Sequence, residues 1–164
     1  MPTKVLPFLI AILSTWSVAL DLPGATELPA MFGDHMVLQR GKPIPVWGWS
    51  DEGQVVKVSF AGESATAKAG KDGRWTVLLP AMKANEQGSQ LTVEGSEKII
   101  IKDVLVGEVW VCSGQSNMEW SVNGALNPNE ERQVANHPKI RHIKVPRLPS
   151  DSHEGNFNAN WQVC

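Results

Sequence analysis

From Gln54 to Phe60 the side chains alternate, with Val56, Val58 and Phe60 on one side and Lys57 and Ser59 on the other. A period of two marks a half-buried β-strand and is incompatible with a one-sided helix. The same period returns at Trp75, Val77 and Leu79. Met36–Arg40, Ile44–Trp49, Leu91–Glu94 and Ile99–Ile101 add further short apolar runs, divided by turn residues such as Gly41-Lys42-Pro43. Lys71-Asp72-Gly73-Arg74 reads as a tight hairpin, because Asp-Gly supplies the positive φ angles that a two-residue loop demands. About seven short strands at this spacing predict an all-β fold, a β-sandwich, over residues 28–103.

The pattern changes after Asp103. Val104–Cys112 is a nearly continuous apolar run interrupted by Gly107-Glu108, the composition of a strand buried on both faces. Further on, Asn127-Pro128-Asn129-Glu130 places a capping residue, a proline at the first helical position and an acid three residues after the cap. A helix is expected over 131–136, ended by His137-Pro138, because proline disfavours helix in its predecessor. Ile140–Val145 alternates as another strand. Strand, helix, strand predicts a βαβ unit of a parallel sheet. Residues 104–164 offer one such unit and then a Pro-rich polar stretch, so they read as the truncated start of an α/β domain.

Before the sandwich, Lys4 is followed by the uncharged run Val5–Leu20, with small residues at Ser17-Val18-Ala19. This predicts a signal peptide over residues 1–20, and Ala19 and Ala25 are both suitable cleavage positions. The run is shorter than the roughly 20 apolar residues of a spanning helix and contains Pro7. The expectation is a secreted, periplasmic or extracellular protein with no stable membrane anchor after signal cleavage. A net charge of −2 without a basic cluster leaves no footprint for nucleic acid. A hydrophobic content of 42%, with seven tryptophans, supplies a core and excludes wholesale disorder. Cys112 and Cys164 have the option of pairing in an oxidising compartment, although Cys112 reads as a small buried hydrophobe. No Cys/His cluster has metal-ligand spacing, so neither a metal nor another cofactor is expected.

Directly after the apolar run stands Gly114-Gln115-Ser116-Asn117-Met118. A serine in a polar turn is commonly structural. It is also how a nucleophile is presented: a hydroxyl at a strand-to-helix junction faces outward, near backbone N–H groups able to stabilise an oxyanion. Small Ser113 and Gly114 permit close approach of a substrate. The geometry matches other nucleophile turns, although the sequence is not Gly-x-Ser-x-Gly.

The stretch from Val104 to Trp120, with Gly114-Gln115-Ser116-Asn117-Met118 at its centre, resembles the nucleophile block of the sialate O-acetylesterase family of the SGNH hydrolase superfamily. Independently, Met31–Arg40 followed by Val46-Trp47-Gly48-Trp49 resembles the opening of the β-sandwich that precedes the esterase domain there. Asn136–Arg141 and Trp161–Cys164 match in character and order. The resemblance implies a serine esterase that removes O-acetyl groups from sialic acids or related acetylated sugars. It implies Ser116 as nucleophile and one backbone oxyanion donor, with Gly114, Gln115 and Asn117 shaping the turn. The family's base is a histidine of an Asp-x-x-His block, and none of His35, His137, His142 and His153 stands three residues after an aspartate. Asp151-Ser152-His153 has the wrong spacing, and Asp34-His35 reads as structural or surface. The polypeptide as written is therefore expected to be inactive.

Two other readings stand beside this one. Related Gly-Gln-Ser-Asn families deacetylate xylan and other plant polysaccharides. A non-catalytic carbohydrate-binding β-sandwich would use Trp47, Trp49 and Trp75 to stack on sugars, whereas tryptophans at alternating strand positions more often fill the core. Glu119, Trp120 and Trp161 either line an acyl pocket or pack beside it, and packing is expected.

Overall fold

A computed structural model describes residues 24–164. The predicted signal peptide lies outside the described residues. Seven strands build one β-rich domain: β1 (Val37–Gln39), β2 (Ile44–Trp49), β3 (Val55–Phe60), β4 (Glu63–Lys68), β5 (Arg74–Leu79), β6 (Asn85–Glu94) and β7 (Lys98–Gly107). Five of them form a sheet in the order β1-β7-β6-β3-β4, and β2 pairs with β5 in a second sheet. The alternation in the sequence sets which faces meet. Val56, Val58, Phe60, Leu91 and Val93 come from the large sheet and Ile44, Val46, Trp75, Val77 and Leu79 from the small one, all in a single buried core. Burying side chains of this size contributes about 1.5–3 kcal/mol each, which is what holds the two sheets together.

The Asp72-Gly73 turn forms differently from a two-residue hairpin. Only Gly73 takes a positive φ, at 73°. Gly70 N–H donates to the Arg74 carbonyl and Gly73 N–H to the Gly70 carbonyl. The strands on either side, β4 and β5, belong to different sheets. The turn therefore carries the chain from one layer to the other, which a type I′ hairpin joining paired neighbours does not do.

Strand β7 runs through the expected boundary between residues 103 and 104. Val104, Leu105 and Val106 are buried, and Val37, Leu38 and Gln39 of β1 pair with residues 105–107 in parallel. The apolar run is thus the end of a strand in the β-domain. Beyond Gly107 its second half is no strand: Trp110 is 82% and Val111 92% exposed.

The predicted parallel βαβ unit is absent from residues 104–164. A helix forms close to expectation, α1 (Pro128–Val134), with Pro128 in its first turn. Asn127 does not cap it through the side chain, because its backbone is left-handed, at φ 54°. Of the strand expected at 140–145 only β8 (Arg141–His142) is present, and it pairs antiparallel with β9 (Gln162–Val163). A parallel crossover needs two strands sharing one sheet, and Val104–Gly107 is already taken by β1 and β6. Among the described residues no helix is long and apolar enough to cross a membrane.

Gly48 shows how tightly the two layers and the N-terminal segment meet. A Cβ there would lie 2.0 Å from the Glu27 carbonyl oxygen and 2.8 Å from Cζ2 of Trp75. A strand glycine commonly marks such close backbone approach. Gly48→Ala is expected to lower unfolding stability by about 1–3 kcal/mol, read as a reduced urea midpoint. An unchanged midpoint would contradict this packing.

Candidate functional site

The segment bearing the serine starts from a pinned exit. At the end of β7, Arg40 N–H donates to the Gly107 carbonyl at 2.9 Å. The Glu108 carboxylate accepts from Gln39 Nε2 at 3.0 Å and from Arg40 Nε at 2.6 Å. Val109 N–H in turn donates to Gln39 Oε1 at 2.9 Å. The Gln39 amide first, and the Arg40 guanidinium second, hold the Glu108 carboxyl below its ordinary range. Two residues at the end of β1 therefore fix the direction in which the chain leaves the β-domain.

Ser116 opens a short 3-10 turn, Ser116–Glu119, and is exposed. Gln115 before it is extended, and its carbonyl accepts the Met118 N–H at 2.9 Å. A Cβ at Gly114 would lie 2.6 Å from Cγ of Met118, so a larger residue there would push that exposed side chain aside. The serine thus lies at the first position of a helical turn, facing solvent, but the residues before it are irregular and exposed. Asn117 contributes its carbonyl, which accepts the Trp120 N–H.

No histidine hydrogen-bonds Ser116 among the described residues. His35 is committed elsewhere, with Nδ1 2.7 Å from Oδ2 of Asp103. His137 N–H donates to the Cys164 carbonyl, while His142 and His153 are exposed. Glu119 pairs with Arg147 at 3.0 Å. Trp120, expected to pack, is 78% exposed, whereas Trp161 packs against the core and donates its Nε1–H to the Met31 carbonyl at 2.8 Å. Cys112 is exposed, against the expectation of burial, because the run around it is not a strand; it and Cys164 are both free thiols.

The sugar-stacking candidates are largely consumed by packing. Trp75 is 2% exposed, and Trp47 stands edge-on to Phe32, with ring centroids 4.7 Å apart. Among the described residues no group of three His, Cys, Asp or Glu is placed to hold a metal ion. A cleft of about 810 Å³ opens where the exit segment passes the β-domain, lined by Val37, Leu105, Val109, Trp110, Ile140 and Trp161 among others. Ser116 does not line it.

A second polar centre was invisible in the sequence. From Leu91↔Ile101 to Ser89↔Val104 the β6–β7 ladder advances two residues on β6 and three on β7. That extra residue is a β-bulge, a feature that re-aims a side chain. Asp103 stands in it at φ 53°. Its Oδ2 accepts from Arg141 Nη1 at 2.7 Å as well as meeting His35. The hydrogen bond from Arg141 first, and that from His35 second, hold the Asp103 carboxyl below its ordinary value of 3.8.

Three comparisons place the chain among known proteins. No family model matches it. It is 33% identical over 109 residues to the sialate O-acetylesterase of Rattus norvegicus, covering 60% of this chain and 20% of that protein. It is 31% identical over 131 residues to that of Homo sapiens, covering 72% and 25%. In structure it is similar to a carbohydrate acetylesterase from Xanthomonas citri, with a TM-score of 0.80, 38% identity, and coverage of 85% of this chain and 32% of that one. Residues 24–107 make up about half of the chain, so a match over 85% extends well into the segment that carries Ser116.

These likenesses are to proteins named as acetylesterases of sialate or of carbohydrate. More narrowly, the chain is similar to the sialate O-acetylesterase family. It spans 20% and 25% of the length of the two curated relatives above.

The lowered Asp103 pKa has a signed consequence. A carboxylate with a depressed folded pKa adds stability that is present above 3.8 and is lost as pH falls through the folded value. The stability gap between the wild type and Asp103→Asn is therefore expected to be full at about pH 6 and to close below about pH 4. Thermal unfolding of both proteins across that range checks it; a gap that widens in acid contradicts the pairing.

Proposed function

We propose that this chain carries a β-sandwich and the opening of an SGNH-type serine esterase domain, acting on O-acetyl esters of sialic acids or related acetylated sugars. The observation that carries the reading is the placement of the Gly-Gln-Ser-Asn-Met block. Ser116 is exposed at the first position of a helical turn, one short segment beyond a fixed exit from the β-domain. The structural likeness to a carbohydrate acetylesterase supports it, because that likeness extends past Gly107.

In this reading the Ser116 Oγ attacks the acetyl carbonyl while a base takes its proton, and the tetrahedral oxyanion is held by backbone N–H groups, that of Ser116 included. Collapse expels the sugar hydroxyl and leaves an acetyl-serine, which water hydrolyses to acetate. Gly114, Gln115 and Asn117 hold the turn. The base is an Asp-x-x-His histidine that these 164 residues do not contain. A serine without its base retains only a remnant of the rate, so the chain by itself is inactive. Reaction in a secretory compartment follows from the signal-like residues 1–20.

The substrate is narrowed to acetylated sugars. The curated relatives are named for sialate, whereas the solved relative is described only as a carbohydrate acetylesterase, so acetylated xylan belongs in the same assay. The sugar-binding-only reading keeps one of its three candidates, since burial removes Trp75 and packing occupies Trp47, which leaves the half-buried Trp49.

The 164-residue chain is expected to hydrolyse neither O-acetylated sialic acid nor acetylated xylan above background. Extended by a coding continuation that supplies Asp-x-x-His, it is expected to gain turnover, and Ser116→Ala in that protein to lose about 10⁴-fold or more. Turnover that survives Ser116→Ala would overturn the assignment.

A further inference from the structure

We infer that Asp103 is a positioning residue whose carboxylate latches the β8–β9 pair onto the β-domain and so sets the frame in which the Ser116 segment is held. Three local features converge on presenting this one group. The bulge in β7 swings residue 103 out of the ladder. Its backbone adopts φ 53°, a conformation that aspartate tolerates but seldom takes without a reason. Opposite it stands Gly88, where a Cβ would lie 2.1 Å from Oδ1 of Asp103 and 3.0 Å from its Cα.

The carboxylate so presented is gripped from two sides. On the β-domain side the Asp34-His35 dipeptide holds Lys102-Asp103. His35 N–H donates to the Lys102 carbonyl at 3.0 Å, Lys102 N–H donates to Asp34 Oδ1 at 2.7 Å, and the His35 ring meets Asp103. His35 is itself left-handed, at φ 70°. On the other side Arg141 of β8 reaches in with a side chain only 7% exposed, while that of Asp103 is 37% exposed. Its Nε also donates to the Pro138 carbonyl at 2.7 Å.

A guanidinium this buried requires its carboxylate, because losing one partner leaves an uncompensated charge. Strand β8 is bonded in turn to the end of the described chain. Cys164 N–H donates to the Ile140 carbonyl, and His137 N–H to the Cys164 carbonyl. Asp103 therefore holds one side of the segment that begins at the Glu108 exit. The consequence for catalysis rests on the esterase reading above; the latch itself does not.

Amide hydrogen exchange on the 164-residue chain tests it at neutral pH. Asp103→Asn keeps a residue that favours left-handed backbone and removes only the charge. The expected result is a loss of protection of about tenfold or more at the Ile140 and Cys164 amides, with β3 and β6 unchanged. Arg141→Gln should give the same local loss and Arg141→Lys a smaller one, while Lys144→Gln on the neighbouring exposed surface should give none. Wild-type exchange at Ile140 and Cys164 in both Asp103→Asn and Arg141→Gln overturns the latch. So does an equal loss across β3 and β6, which would make Asp103 a residue of the general fold. Should Asp103→Asn fail to fold, Arg141→Gln, which lies outside both sheets of the β-domain, decides by the same criterion. Because exchange is read without any ester, a failed esterase assignment leaves this result standing.

Discussion

Strand β7 must satisfy neighbours of opposite sense, β6 antiparallel along one edge and β1 parallel along the other. Antiparallel and parallel ladders space their hydrogen bonds differently, so a strand that serves both is tightly constrained in register. On the β6 side a bulge turns Asp103 out of the ladder. The parallel pairing with β1 brings Gln39 and Arg40 beside Gly107 and Glu108, where they fix the exit of the chain. The Asp103 centre and the Glu108 exit thus both sit on or directly after this one strand.

Much of the β-domain was legible because its strands bury one face and wet the other. Strand β5 reads exposed-buried three times over, which is the pattern its sequence carries. Strand β4 escaped notice for the converse reason. It is a sheet edge with only Ala65 and Ala67 half-buried, so Glu63–Lys68 offers no large apolar side chain to betray it. Val104–Cys112 misled because composition reports that a run is apolar without saying which sheet receives it. Its first residues complete the β-domain core, and the remainder, with β1 and β6 already paired to β7, has no strand beside it.

The serine was legible as chemistry through the motif and its resemblance, while its surroundings were not. Asp103 lies 68 residues from His35 and 38 from Arg141, separations at which no local pattern announces a partner. What brings them together is a register shift, and a register shift is decided by cross-strand geometry. The one available hint was Asp34-His35 ahead of the first strand, two polar residues in a turn that do nothing for the core. Their bonds to Lys102 and Asp103 account for them.

The segment after Gly107 has a different kind of stability from the domain that carries it. No residue beyond Val106 is buried as a whole, and Trp110, Val111, Trp120, Leu126 and Val134 all face outward. An apolar core therefore does not hold this segment among the described residues. It is held by separate contacts with the β-domain: Glu108 at its start, Lys139 on Glu86, Arg141 on Asp103, Asn156 accepting the Ala30 N–H, and Trp161 on the Met31 carbonyl. Apolar contact is non-directional, so it fixes how close two parts lie better than how they are turned. Hydrogen bonds and paired charges prescribe angles as well as distances. A nucleophile has to approach its carbonyl within a narrow range of geometry, which makes orientation the costly quantity. A serine segment with little core of its own obtains that orientation from directional contacts with a rigid neighbour, and the carboxylate at 103 is the most heavily prepared of them.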